Sequence, residues 1–139
     1  LLICQMAQYY KLQGKNLVQA MRELYEKYGY YHNRTISLSY PGADGAAKMA
    51  GIMAALRETA PEEIAGAKVE AVVDYADGVN GLPKANVIEF DLEGGDKAIV
   101  RPSGTEPKIK LYIFAKGADA ASADAQLDAI EEAGRKLLS

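Results

Sequence analysis

The stretch Arg101-Pro102-Ser103-Gly104-Thr105-Glu106-Pro107-Lys108-Ile109-Lys110 collects the donors that a compact anion needs. A guanidinium is a planar fork of N–H groups, so Arg101 can hold two anion oxygens at once. Ser103 and Thr105 add short hydroxyl donors on either side of Gly104. Glycine lets the backbone take unusual dihedrals and approach a ligand closely, so successive N–H groups can form an anion nest. Pro102 and Pro107 stiffen both ends, which limits the entropy lost when a ligand orders the loop. Lys108 and Lys110 stand two residues apart, so on an extended strand they project to one side and charge one rim. Arg101, Lys108, Lys110 and Lys116 face Glu106 alone within this region, a local net of +3 in a chain whose net is −3. The final segment has the opposite bias, with Asp119, Asp124, Asp128, Glu131 and Glu132 against Arg135 and Lys136. Focused positive charge with small donors suits a compact anion rather than a long polyanion. The same composition also describes an ordinary turn whose lysines protect a sheet edge. Residue types alone leave both readings open.

Such a loop needs strands to carry it. Thr35-Ile36-Ser37-Leu38-Ser39-Tyr40 alternates with period two and predicts a strand, closed by Pro41-Gly42. Asp44 then stands as the N-cap of a helix with Met49, Ile52, Met53 and Leu56 on its apolar face, ended by Pro61. Further strands are predicted at Lys68–Asp74, Asn86–Leu92, Lys97–Arg101 and Lys108–Lys116, with Glu93-Gly94-Gly95-Asp96 as a hairpin loop. Asp119 opens a final helix with Ala123, Leu127, Ile130 and Leu137 inward. From about residue 35 the order is β-α-β4-α, a mainly antiparallel sheet with helices on one face, in the α+β class.

Two further helices come first. Ile3, Met6, Ala7 and Tyr10 share one helical face, and Leu17, Ala20, Met21, Leu24, Tyr25 and Tyr28 share another. Asn16 with Gln19 forms a capping-box pattern at the start of the second, which stops at Gly29. A pair of helices is a poor core by itself, so residues 1–30 are expected to be the tail of a preceding domain, 31–34 a linker, and 35–139 the main domain. The chain opens at Leu1 without Met, already inside a periodic pattern, and is read as a piece of a larger protein. The exposed apolar faces of residues 1–29 predict self-association of the piece.

Composition excludes several classes. The 139 residues are 49% hydrophobic and 25% charged, as in a globular chain. No apolar run approaches the roughly 20 residues of a membrane-spanning helix, and no signal-peptide pattern is visible. One Cys and one His allow neither an internal disulfide nor a Cys/His zinc site. These features predict a cytoplasmic protein without membrane or nucleic-acid partners; the acidic net charge opposes the latter.

The segment from Arg101 to Tyr112 resembles the C-terminal phosphate-binding loop of the α-D-phosphohexomutases. Gly81-Leu82-Pro83-Lys84-Ala85-Asn86-Val87 and the stretch from Tyr40-Pro41-Gly42 to Met49 resemble the phosphoglucomutase branch of that family. The resemblance covers most of the chain, most densely from Asp74 to Lys116, with no departure inside the loop. It implies the fourth of four domains, in a TATA-binding-protein-like fold. Arg101, Ser103, Gly104 and Thr105 would then hold the substrate phosphate that is not being transferred, with Lys110 a further basic contact. The phosphosugar is the implied partner, together with domains 1–3 of the same polypeptide. Mg2+ and glucose 1,6-bisphosphate are the implied cofactors of the intact enzyme, with the metal ligands and the phosphoserine outside this chain and neither cofactor bound by this piece alone. No catalytic residue is expected here. Phosphomannomutase and phosphopentomutase are rival activities, and a stand-alone phosphosugar-binding module is the rival of another class.

The remaining polar residues carry less. His32 is read as a packing residue, and Cys4 as a thiol buried in the parent protein but exposed in this piece. The tyrosines at 25, 28, 30, 31 and 40 are expected to pack around the linker. Glu70, Asp74 and Asp77 are read as solvated rather than as a cation site.

Overall fold

The computed structural model describes all of residues 1–139. Helices α1 (Leu2–Leu12) and α2 (Leu17–Tyr28) are followed by strand β1 (Tyr30–Ser39) and helix α3 (Gly45–Glu58). Strands β2 (Glu63–Ile64), β3 (Ala67–Asp74), β4 (Ile88–Leu92), β5 (Lys97–Pro102) and β6 (Lys108–Gly117) come next, and α4 (Ala120–Leu137) closes the order. The strands form one antiparallel sheet in the order β1-β6-β5-β4-β3-β2. The α+β class is as the sequence predicts, with one addition and one correction.

The addition is β2. Glu63–Ile64 pairs with Ala67–Lys68 across Ala65-Gly66, both with positive φ (57° and 82°). Two left-handed residues in a two-residue hairpin are a type I′ turn, which Asn-Gly or Asp-Gly would announce and Ala-Gly does not. The correction concerns the linker at 31–34. Tyr31 to Arg34 are the first half of β1, paired residue by residue with Lys116 to Ile113. What holds them there lies far along the chain. Arg34 donates to Asp128 at 2.7 Å and Glu131 at 2.8 Å, and His32 Nδ1 lies 2.8 Å from Asp124, all on α4.

One sheet face is the core. Ile88, Phe90, Leu92, Ala98, Val100, Ile109, Leu111, Ile113 and Ala115 alternate inward and are almost fully buried. Met49, Met53 and Leu56 of α3 and Leu127 and Ile130 of α4 cover them, joined by Leu138 just past the end of α4. Leu137 is half-buried and packs against this core. The caps differ as well. Asn16–Gln19 and Asp119–Ser122 are complete capping boxes, but the Asp44 side chain makes no capping bond.

The leading helices bury little: α1 has no buried residue and α2 only Ala20. Tyr25 stacks on Tyr30 with ring centroids 5.4 Å apart and meets His32 edge-on, whereas Tyr28 and Tyr31 are exposed and Tyr40 is buried elsewhere. Cys4 is exposed. No helix is long and apolar enough to cross a membrane.

Phe90 has no exposed surface, on a strand flanked on both sides. Phe90→Ala is expected to cost about 3–5 kcal/mol, read as a lower urea midpoint. Hydrogen bonds from Arg34, then Arg135, hold the Glu131 carboxyl below its ordinary 4.5. A depressed carboxyl stabilises the fold fully above the unfolded value and loses that contribution as pH falls through the folded one. Urea midpoints measured from pH 6 downward should therefore fall less steeply in Glu131→Gln than in the wild type once the pH drops below about 4.5.

Candidate functional site

The alternation that buries Val100 and Ile109 forces their neighbours outward. Arg101 sits directly across from Lys110 on the paired strands β5 and β6, and Pro102 across from Ile109. Ser37 of β1 faces Lys110 from the other side, and Ser39 faces Lys108. Arg101, Lys110 and Ser37 thus form one row across three strands on the exposed sheet face. No carboxylate pairs with Arg101 or Lys110. Two like charges held opposite each other repel, so an anion between them relieves a standing cost.

The loop between these strands is fastened by its own backbone. Ser103 N–H donates to the Lys108 carbonyl at 2.8 Å, Lys108 N–H to the Glu106 carbonyl at 2.7 Å, and Tyr40 N–H to the Pro107 carbonyl at 2.8 Å. Inside that frame, Ser103 Oγ accepts from Thr105 N–H at 3.4 Å and from Glu106 N–H at 3.3 Å, both long contacts. Gly104 N–H has no partner in the chain. The amides of Gly104, Thr105 and Glu106 are therefore free or loosely engaged, within the loop that joins the two unpaired cations. Such a set can take several oxygens of one tetrahedral anion.

Two details differ from the sequence reading. Gly104 does not adopt a positive φ, because the turn closes through ordinary L-residue geometry. A Cβ on Gly104 would meet nothing within 4 Å, so its missing side chain matters only toward a ligand. Lys108 does not add free charge to the rim, since its Nζ pairs with Glu106 at 3.0 Å. The predicted site residues Arg101, Ser103, Gly104, Thr105 and Lys110 do lie together on the two strand ends and the loop that joins them.

Sequence reasoning missed a neighbouring feature. A cavity of about 260 Å3 beside the loop is lined by Ala46, Met49, Met53, Asn86, Ser103 and Gly104 among others. Asn86 is fastened there by Arg57, which donates to Asn86 Oδ1 at 2.8 Å and to both oxygens of Asp74. The pair lowers the Asp74 pKa, chiefly through the Arg57 hydrogen bond. Asp77 pairs with Lys84 at 3.2 Å. A larger apolar groove of about 550 Å3 between α2 and β1 lies at the opposite end of β6, near Gly117. No three carboxylate, imidazole or thiol groups converge to hold a metal, so the residues present do not fit a magnesium site.

An α+β domain with a cationic, amide-rich loop at one strand end is the class that this geometry defines. Residues 40–133 match the family model of the phosphoglucomutase/phosphomannomutase C-terminal domain, and the chain belongs to this family. It is 38% identical over 128 residues to a probable phosphomannomutase of Haemophilus influenzae, covering 92% of this chain and 25% of that protein. It is 38% identical over 127 residues to a phosphoglucomutase of Staphylococcus aureus (strain bovine RF122), covering 83% of this chain and 23% of that one. The solved open form of pp63/parafusin, a phosphoglucomutase from Paramecium, shares the fold with a TM-score of 0.58 at 17% identity, over 91% of this chain and 24% of that chain. The chain thus spans about a quarter of the length of the curated relatives it matches.

Because Glu106 neutralises Lys108, the two strand lysines are not equivalent toward an anion. Lys110→Ala should weaken inorganic phosphate binding about fivefold or more, and Lys108→Ala much less. Glu106→Gln, which releases Lys108, should tighten binding about two- to fivefold. Chemical-shift titrations of the three variants check the order; equal losses from both lysine variants would contradict it.

Proposed function

We propose that this chain is the domain of a phosphoglucomutase that holds the substrate phosphate not undergoing transfer. The observation that carries the reading is the Arg101–Lys110 pair, cross-strand and without carboxylate partners, beside the free and loosely held amides of Gly104 to Glu106. Arg101 binds two phosphate oxygens, Ser103 and Thr105 donate their hydroxyls, and Lys110 balances the remaining charge. Phosphoryl transfer depends on positioning and charge stabilisation more than on covalent help from the protein. Holding one phosphate places the opposite hydroxyl of the hexose where a phosphoserine elsewhere in the polypeptide can act.

A loop made of general phosphate donors also accepts either end of glucose 1,6-bisphosphate. That tolerance is what an intermediate needs if it must turn around between the two half-reactions. The chain itself contributes binding and orientation, and no bond-making group. Residues 1–30 belong in this reading to the preceding domain, which would cover Ile3, Met6, Met21 and Leu24, all exposed here. A phosphomannomutase is the second reading, favoured by the Haemophilus relative.

The test is an NMR amide titration with glucose 1,6-bisphosphate, with sulfate as the charge control. Shifts confined to residues 101–110, stronger for the bisphosphate and largely lost in Arg101→Ala, are expected. A lone loop open to water should give a dissociation constant on the order of millimolar, about −4 kcal/mol. No localised shift up to tens of millimolar would overturn phosphate binding by this chain. Purified chain should show no mutase turnover, and detectable turnover would overturn the division of labour.

A further inference from the structure

The phosphate loop makes one backbone hydrogen bond outside its own strands, to Tyr40. Tyr40 follows β1 directly, and its N–H donates to the Pro107 carbonyl at 2.8 Å, the bond that pins the far end of the loop. The same residue is 7% exposed, and its hydroxyl donates to the Leu138 carbonyl just past α4. Burial pushes the phenol above its ordinary 10.0, so the hydroxyl stays a donor through the neutral range. Lys48 Nζ of α3 lies 5.4 Å from the ring centroid.

The first turn of α3 closes the other side. A Cβ on Gly45 would overlap the Tyr40 carbonyl oxygen and stand 3.3 Å from Pro107 Cβ. Glycine is needed there for space, since the Gly45 backbone has no positive φ. Helix α3, Tyr40 and Pro107 are therefore in direct contact, and Leu138, with no exposed surface, anchors the ring end.

We propose that Tyr40 is the positioning residue of the phosphate loop, coupling Pro107 to the end of α4 through its backbone N–H and its hydroxyl. Its effect on binding rests on the phosphate reading above, whereas the tether itself does not. Tyr40 touches no substrate atom in this role. It sets where the amides of residues 104–106 stand relative to Arg101 and Lys110.

Tyr40→Phe keeps the ring and removes only the hydroxyl. Amide hydrogen exchange is compared in the wild type, Tyr40→Phe and Ile130→Val, the last a core change in α4 that weakens the domain as a whole. In Tyr40→Phe the Ser103 and Tyr40 amides should exchange about tenfold faster relative to β4 amides. In Ile130→Val the loop and β4 should accelerate by a common factor. Gly45→Ala should reproduce the local signature of Tyr40→Phe. Inorganic phosphate should bind Tyr40→Phe about threefold or more weakly and Ile130→Val as the wild type. A loop that accelerates no more than β4 in both Tyr40→Phe and Gly45→Ala overturns the tether. Unchanged phosphate affinity in Tyr40→Phe overturns the positioning role. A wild-type loop that ignores inorganic phosphate overturns the phosphate reading and the role built on it, while the exchange ratio still decides the tether.

Discussion

Strand alternation across β5 and β6 is the constraint on which the site depends. Val100, Ile109 and Leu111 are each 2% exposed or less, and the apolar area they remove from water is part of the main core. Their burial fixes the register, because a slip by one residue would turn Lys108 and Lys110 into the core. With the register fixed, Arg101 and Lys110 have one place to go, opposite each other on the exposed face. Two cations are thus held together by a hydrophobic effect acting on the other side of the sheet. Their mutual repulsion is small beside that burial, and it becomes an asset once an anion is present.

The acidic bias of α4 has its explanation in the first half of β1, the edge strand beside β6. Asp128 and Glu131 pair with Arg34, and Asp124 meets the His32 ring, so the helix carries acid where β1 supplies a cation and a hydrogen-bond partner. These are largely exposed pairs, each worth little alone. Their service is to keep the first half of β1 beside β6, where the inward side chains are polar or only half-buried. Lys97, between Glu89 and Asp91 at 2.6 Å each, does the same for β4 and β5 on the exposed sheet face, and Tyr75 joins that group through Glu89. Arg101 and Lys110, beside the loop, have no such carboxylate partner.

Much of the architecture was legible in the residues. Strands β3 to β6 fell close to where alternation and the Gly94-Gly95 turn put them, the Asn16–Gln19 capping box was visible, and Asp119 marked the start of α4. Local signals of this kind succeed because backbone geometry over a few residues decides them. β2 escaped because Ala65 takes a left-handed conformation that alanine does not advertise. The first half of β1 escaped because its partners, Asp124 to Glu131, lie more than ninety positions away. In the loop, the residue types offered an anion set, but the Lys108–Glu106 pair and the ordinary backbone of Gly104 depend on the folded geometry.

The sequence by itself determined the chemistry on offer: a guanidinium, two hydroxyls, a glycine amide and lysines, stiffened by two prolines between alternating strands. Those are properties of residue types and spacing, and they hold wherever the chain is folded or not. Only the tertiary structure decided which of these groups are free. Lys110 is available and Lys108 is not, because one faces Arg101 across a strand pair while the other reaches a carboxylate two residues back. It also decided that Tyr40, sixty-odd residues from the loop, would hold it in place. Contacts between distant segments depend on how sheet and helices pack, and no local pattern in the chain encodes them.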